Sequence, residues 1–399
     1  MGLQFPVIEP WPGILPEQWQ DWRWQFQNSL KSRDDFARRV DLSDDEEAAF
    51  QSPAQFPVQC TPYYSNLIHP DPEDPIRLMV IPRLMEHKEM GQQMPDPLGE
   101  RAHSPHARVI HRYPDRALFL VTDQCSLYCR YCLRKHFTGQ DHAFIGSGDY
   151  DKALSYFRNA PGIREVILSG GDPLTLGDGR IERLLFDLRS IPTIEIIRMA
   201  SRMPVVCPMR ITPELVSLFR RFKPVYFITH FNHPRELTLD AAESLERLVD
   251  AGVPVFNQMV LLNGINNHAA HVQALSRRLL FLRTKPYYMF QCDPSKGSEH
   301  FRTSVSDSLA IQRELWGRLS GLAMPNLSLD IPGGGGKVGL VPQFLTENRL
   351  EELSEWKFTG WDSVEGKYQS PALPVRVPSD LSKYLDEWNS IKTQPYGRG

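Results

Sequence analysis

The sequence has 399 residues with 45 Lys and Arg against 48 Asp and Glu, a formal net charge of −3, so it lacks the cationic excess of phosphate-tracking proteins and no nucleic-acid partner is expected. Hydrophobic residues make up 41% and charged ones 23%, which excludes collagen-like and disordered classes. No apolar run approaches the ~20 residues of a membrane span, and the opening Met1-Gly2-Leu3-Gln4-Phe5-Pro6 has no basic n-region or long apolar h-region, so the expectation is a cytoplasmic protein without a membrane partner.

Along the chain, Pro16 to Gln25 opens a helical stretch in which Trp19 and Trp22, three apart, share an apolar stripe. The run Asp44-Asp45-Glu46-Glu47 starts a further helix and reads as a solvated face. Pro53 to Pro97 is proline-rich with short helical pieces. Residues 1–110 are therefore expected to form a helical and extended layer around something larger. From 117 onward, short apolar runs at 117–121, 165–168, 194–197, 225–228, 253–256 and 287–290 alternate with amphipathic segments at 179–190, 213–222, 238–251 and 267–282. That alternation predicts an α/β fold of parallel βαβ units. A partial (βα)6 barrel over 111–340 fits, with a doubly wound sheet as the competing architecture. A C-terminal extension, 341–399, is polar and carries a last predicted helix near 379–391.

In such a barrel the reactive residues belong beyond the C-terminal ends of the strands. Cys125, Cys129 and Cys132 follow the first strand as C-x3-C-x2-C, three of the six cysteines within eight positions. Three thiolates on one loop can hold three irons of a cubane cluster and leave the fourth open, whereas a structural zinc site wants a fourth ligand. Cys60, Cys207 and Cys292 stand alone and read as small buried side chains. The second strand ends in Ser169-Gly170-Gly171-Asp172-Pro173, where the glycines allow close backbone approach to a ligand. Farther on, Asp330-Ile331-Pro332-Gly333-Gly334-Gly335-Gly336-Lys337 closes a flexible loop with a lysine, either a bland surface cation or an amine that condenses with a carbonyl cofactor.

The cysteine loop and the glycine motif resemble the radical S-adenosylmethionine superfamily. With the four glycines and Lys337 added, the chain closely resembles the lysine 2,3-aminomutase family over residues ~15 to 345. Further matches run in order through Trp19 to Gln25, His111 to Arg116, Thr122 to Gln124, Ser201 to Val206, Thr229 to Pro234, Asn257-Gln258, Gln291 to Asp293 and His300 to Thr303. The resemblance implies a partial barrel, migration of an amino group between C2 and C3 of an α-amino acid, a homo-oligomer, and an electron donor such as flavodoxin or ferredoxin. It also implies three cofactors: a [4Fe-4S] cluster, S-adenosylmethionine and pyridoxal phosphate.

Position by position, the resemblance implies that Cys125, Cys129 and Cys132 ligate the cluster and that Lys337 bonds covalently to pyridoxal phosphate. Arg112, Tyr113 and Arg116 match positions around pyridoxal phosphate, while Gly170, Gly171, Asp172, His230 and Gln258 match positions around the cofactors. Arg134 matches the guanidinium that receives the substrate carboxylate, a bidentate task suited to Arg. Asp293 and Asp330 match a carboxylate pair that binds the side-chain ammonium of lysine, and a buried cation does need opposite charge. The activity implied is L-lysine 2,3-aminomutation to β-lysine. Alternatives are the same reaction on arginine, lysine conversion linked to protein modification, or another radical outcome on this scaffold. A non-catalytic electron carrier has no use for Lys337. One departure is that no cysteine follows Cys292 and His268 stands where the family's barrel cysteine falls, so a C-terminal zinc site is not expected.

Overall fold

The computed structural model of the protein describes residues 3–52, 56–139, 144–342, 355–359 and 363–369. Its apolar runs become strands whose side chains alternate between two faces, clearest over Val255–Leu261, and the amphipathic segments between them become helices that cover the outer face. Nine strands form one sheet: β1 (Val109–Tyr113), β2 (Arg116–Thr122), β3 (Glu165–Gly170), β4 (Ile196–Ala200), β5 (Val225–Thr229), β6 (Val255–Leu261), β7 (Lys285–Gln291), β8 (Asn326–Ile331) and β9 (Gly336–Gly339). Strand order equals chain order. A doubly wound sheet would reverse direction at a switch point, so the competing architecture is excluded.

Pairing is parallel from β2 through β8, with antiparallel β1 and β9 at the two edges. Those edges approach each other and are joined by side chains, because Arg112 Nε donates to the Gly334 carbonyl at 2.7 Å and the Lys337 amide donates to Tyr113 Oη at 2.9 Å. The barrel is therefore nearly closed at the place where Lys337 sits. Two strands start later than their apolar runs suggest. Ile194 gives its amide to Ile191 and Val253 gives its amide to Leu248, so both residues close the preceding turn instead of joining the sheet. The strand β8, which starts at Asn326, adds a seventh parallel member to the six units of the expected barrel.

The N-terminal layer packs on the barrel through its aromatic residues. Trp19 and Trp22 are both buried, but they lie on two helices, Pro16–Trp19 and Trp22–Gln27, because Asp21 breaks the run and caps the second. The acidic run differs from expectation. Ser43 and Glu46 form a capping box at the start of Asp44–Phe50, and Glu46 is fully buried with both oxygens on Arg77, at 2.8 and 2.6 Å. The fully solvated face is corrected to one carrying a buried ion pair, which joins two stretches of the N-terminal layer. The helix expected near 379–391 lies outside the described residues; beyond the barrel the structure describes a hairpin of β10 (Glu355–Thr359) and β11 (Glu365–Gln369). No helix among the described residues is long and apolar enough to cross a membrane.

Candidate active site

The C-terminal ends of the parallel strands surround two adjoining cavities of about 460 and 250 Å³. The smaller begins with the loop after β2. Cys125, Cys129 and Cys132 all line it, together with buried Cys292. Among the described residues no group of three or more His, Cys, Asp or Glu side chains is already gathered tightly enough to hold a metal ion; the fold supplies three thiols facing one space. Two of the sulfurs receive donors suited to thiolates: Arg202 Nη1 reaches Cys129 Sγ at 2.7 Å, and the Arg134 amide reaches Cys132 Sγ at 3.4 Å. Burial and the neighbouring thiols push Cys125 and Cys132 well up and up, respectively, so both favour the neutral thiol until a metal or other cation offsets the charge.

The glycines after β3 are needed by the fold itself. A side-chain carbon on Gly170, at φ +122°, would fall 2.3 Å from the Thr122 carbonyl, and one on Gly171 would fall 2.2 Å from the Gln124 carbonyl. Instead, the amides of Gly171 and Asp172 bond to those two carbonyls at 2.7 Å, so this segment is laid directly against the entry to the cysteine loop. Asp172 accepts from the amides of Leu174 and Arg202, at 3.0 and 2.8 Å. Its carboxylate thus ties the ends of β3 and β4 together on the wall of the smaller cavity.

His230, just past β5, and Gln258, on β6, line both cavities. Burial and the nearby Arg202 guanidinium push His230 down to about 3, leaving a neutral imidazole hydrogen-bonded to Tyr131 Oη at 3.0 Å and Asn232 Nδ2 at 3.2 Å. Thr229, also on the smaller cavity, has a buried hydroxyl with no hydrogen-bond partner among the described residues. An orphaned polar group of this kind fits a polar ligand in that space.

The larger cavity gathers Arg112, Tyr113, Arg116, Arg134, Asp293, Asp330 and Lys337, which lie up to 225 positions apart in the sequence. Asp330 and Lys337 are cross-strand partners in β8 and β9, with Oδ2 to Nζ at 4.0 Å, too long for a hydrogen bond. The ammonium stands instead over the rings of Phe290 and Tyr288, at 4.1 and 4.5 Å. A carbon on Gly336 would lie 3.1 Å from Arg112 Nη2 and 3.6 Å from Tyr113 Oη. The absent side chain therefore leaves a cradle between a cation and a phenol, beside Arg116, Arg198 and the lysine.

Electrostatically this space is under-compensated. Burial and then Asp330 raise Asp293 to about 7, and burial also raises Asp330. Burial lowers Lys337, with Asp330 opposing the shift. Two carboxylates facing a cavity and resisting ionisation are suited to an incoming cation. Arg134 is paired with Glu100 through three hydrogen bonds of 2.7–3.1 Å and gives Nη1 to Ser169 Oγ at 3.0 Å.

All fifteen residues singled out from the sequence therefore line the two cavities. Sequence reasoning gave no role to Arg202, Glu100, Ser169, Thr229 or Arg198. Arg202 follows the end of β4, the place where barrel enzymes carry functional groups, and that position is a signal. Glu100 lies in an irregular turn and has none.

The chain as a whole is similar to known proteins. The model of the Radical SAM superfamily matches residues 119–274. The chain is 42% identical over 349 residues to an L-lysine 2,3-aminomutase of Clostridium subterminale, covering 87% of this chain and 84% of that protein. It is 44% identical over 351 residues to one of Fusobacterium nucleatum, covering 88% and 83%. A glutamate 2,3-aminomutase of Clostridioides difficile is 40% identical over 331 residues, covering 82% and 78%.

Proposed function

The chain belongs to the lysine 2,3-aminomutase family of radical S-adenosylmethionine proteins, and on that premise we propose that it moves the α-amino group of L-lysine to C3, giving β-lysine. It is an isomerase with a small amino acid as substrate. Relatives of similar identity act on lysine and on glutamate, so the substrate has to be argued from the site. The observation that carries the choice is the pair Asp293 and Asp330, two carboxylates held above their ordinary range in the cavity of Lys337. A cationic tail relieves their charge, while a glutamate tail adds a third carboxylate to it.

Cys125, Cys129 and Cys132 would hold three irons of a [4Fe-4S] cluster, with S-adenosylmethionine in the smaller cavity along Gly170, Gly171, Asp172, Thr229, His230 and Gln258. Bound there and given one electron by a donor such as flavodoxin or ferredoxin, these groups would supply radical chemistry able to take hydrogen from C3. Arg112, Arg116 and Tyr113 form a cationic cradle that would hold pyridoxal phosphate, which would supply the π-system that amino-group migration needs. The chain's own work is placement. Burial lowers Lys337 from the ordinary ammonium range, which eases release of the proton that blocks the Nζ lone pair from bonding to a carbonyl carbon. Arg134 takes the substrate carboxylate and the aspartates its far ammonium, so both ends of lysine are fixed and C3 is aimed from the larger cavity toward the smaller. Neutral His230 adds no charge at the junction of the two.

The test is an amino-acid panel under anaerobic, reducing conditions with product analysis. β-Lysine from L-lysine is the expected product. Preference for arginine would keep the carboxylate pair and change the substrate; turnover confined to neutral or acidic amino acids would overturn the reading.

A further inference from the structure

The turn from Asp96 to His103 lies between the lysine loop and the arginine that follows the cysteines. Its carboxylate cap is built first: Asp96 accepts the amides of Glu100 and Arg101, both at 2.9 Å. Gly99, at φ +62°, then rests on the glycine loop so closely that a side-chain carbon would meet Gly334 N at 2.9 Å. The Gly333 amide donates to the Pro97 carbonyl at 2.8 Å. On its other side the same turn sends Glu100, 7% exposed, to Arg134. One turn thus touches both the loop that carries Lys337 and the guanidinium that is to receive the substrate carboxylate.

The hydrogen-bond count on Arg134 shows what this contact does. A guanidinium has five N–H groups. Glu100 takes Nε and one N–H of Nη2, and Ser169 takes one N–H of Nη1. One N–H remains on each terminal nitrogen, enough for one further carboxylate. An arginine held along one edge presents its remaining donors in a fixed direction, whereas a free one must lose rotamer entropy on binding.

We propose that Glu100 is a positioning residue that sets Arg134 for the substrate carboxylate, and that the 96–103 turn fixes its distance from Lys337. This rests on the reading of Arg134 as the carboxylate receptor. In the cofactor-loaded enzyme, Glu100→Gln should raise KM for L-lysine roughly ten- to a hundredfold with kcat changed less than about threefold, as expected when a binding group is misplaced. Binding of L-lysinamide, measured by calorimetry, should hardly change, because its amide gains little from an oriented guanidinium. Glu100→Asp, which keeps the charge, should recover part of the loss.

A lower KM for lysine in Glu100→Gln would overturn the proposal and make Glu100 a competitor of the substrate. Equal losses for lysine and lysinamide with a lowered melting temperature would overturn it as a structural effect. Arg134→Met separates the two layers of argument. If that variant keeps the wild-type preference for lysine over lysinamide, the reading of Arg134 fails and takes the proposal with it. If the preference is lost there but Glu100→Gln behaves as wild type, the proposal alone fails.

Discussion

Between Cys129 and Cys132, Arg130 is 1% exposed and bonded through Nε and Nη2 to Glu86, at 2.8 and 2.6 Å, and through Nη1 to the carbonyls of Phe56 and Pro57. Among the described residues, the Lys337 amine, at the other end of the site, has no polar side-chain contact shorter than the 4.0 Å to Asp330. The glycine loop before it is tied by backbone groups, at Gly333, Gly334 and Lys337. The cysteine loop is thus fixed by a buried ion pair to the N-terminal layer, which a group that must keep several sulfurs in register requires. The lysine is fixed at its backbone while its amine is held by no close polar partner among the described residues, as the proposed bonding to a carbonyl cofactor requires.

The strongest break of this comparison is Lys337→Ala. Aminomutase turnover should vanish, while iron content and S-adenosylmethionine cleavage in the variant match wild type. Loss of the iron–sulfur absorbance along with turnover would mean that the two loops are not independently held. Arg130→Met acts at the other end. It leaves buried Glu86 with only the more distant Lys135 ammonium, at 4.0 Å, at a cost of up to roughly 3–5 kcal/mol, and the cluster absorbance should fall with the unfolding midpoint. Adding Glu86→Gln should recover much of the stability, since the poorly compensated charge is gone, but not the cluster. Recovery of both would show that the pair serves stability alone.

Asp330→Asn sharpens the comparison within the lysine end. On the proposed reading one partner of the substrate ammonium is lost, so lysine kcat/KM should fall by on the order of a hundredfold, with little change for norleucine, whose tail is uncharged. Equal falls for both would make the carboxylates structural.

What the sequence displayed follows the same division. Cys125, Cys129 and Cys132 share a loop, and Lys337 directly follows its glycines, so both were legible as local patterns and the strand periodicity placed them at one end of a barrel. The supports were not legible. Glu86 and Arg130 are 44 positions apart and Arg202 and Cys129 are 73 apart; a charged residue looks alike in sequence whether it is solvated or pairs across a core. Glu46 shows this most plainly, since an acidic run at a helix start ordinarily faces water and here one member is buried on Arg77. Gly170 and Gly171 were legible as glycines with a purpose, but their tightest neighbours are the carbonyls of Thr122 and Gln124, which no local pattern could name.

The smallest expected effect concerns what the under-compensated carboxylates do to the fold before substrate arrives. Asp293 lies at about 7 against an ordinary 3.8, with burial and then Asp330 as causes. A carboxyl whose folded value is raised contributes stability that is fully present below the unfolded value and is lost as pH rises through the folded one. Asp293→Asn escapes that loss. The full shift corresponds to at most about 4 kcal/mol, and sharing of the charge with Asp330 reduces it to an expected gain of about 1–2 kcal/mol. Without substrate, the melting temperature of the variant should equal that of wild type near pH ~4 and exceed it increasingly up to a plateau above pH ~8. In the same variant lysine kcat/KM should drop, and the wild-type fall in kcat/KM below pH ~7, where Asp293 takes up its proton, should flatten. A variant that is less stable at every pH would show that Asp293 serves the fold and not the substrate.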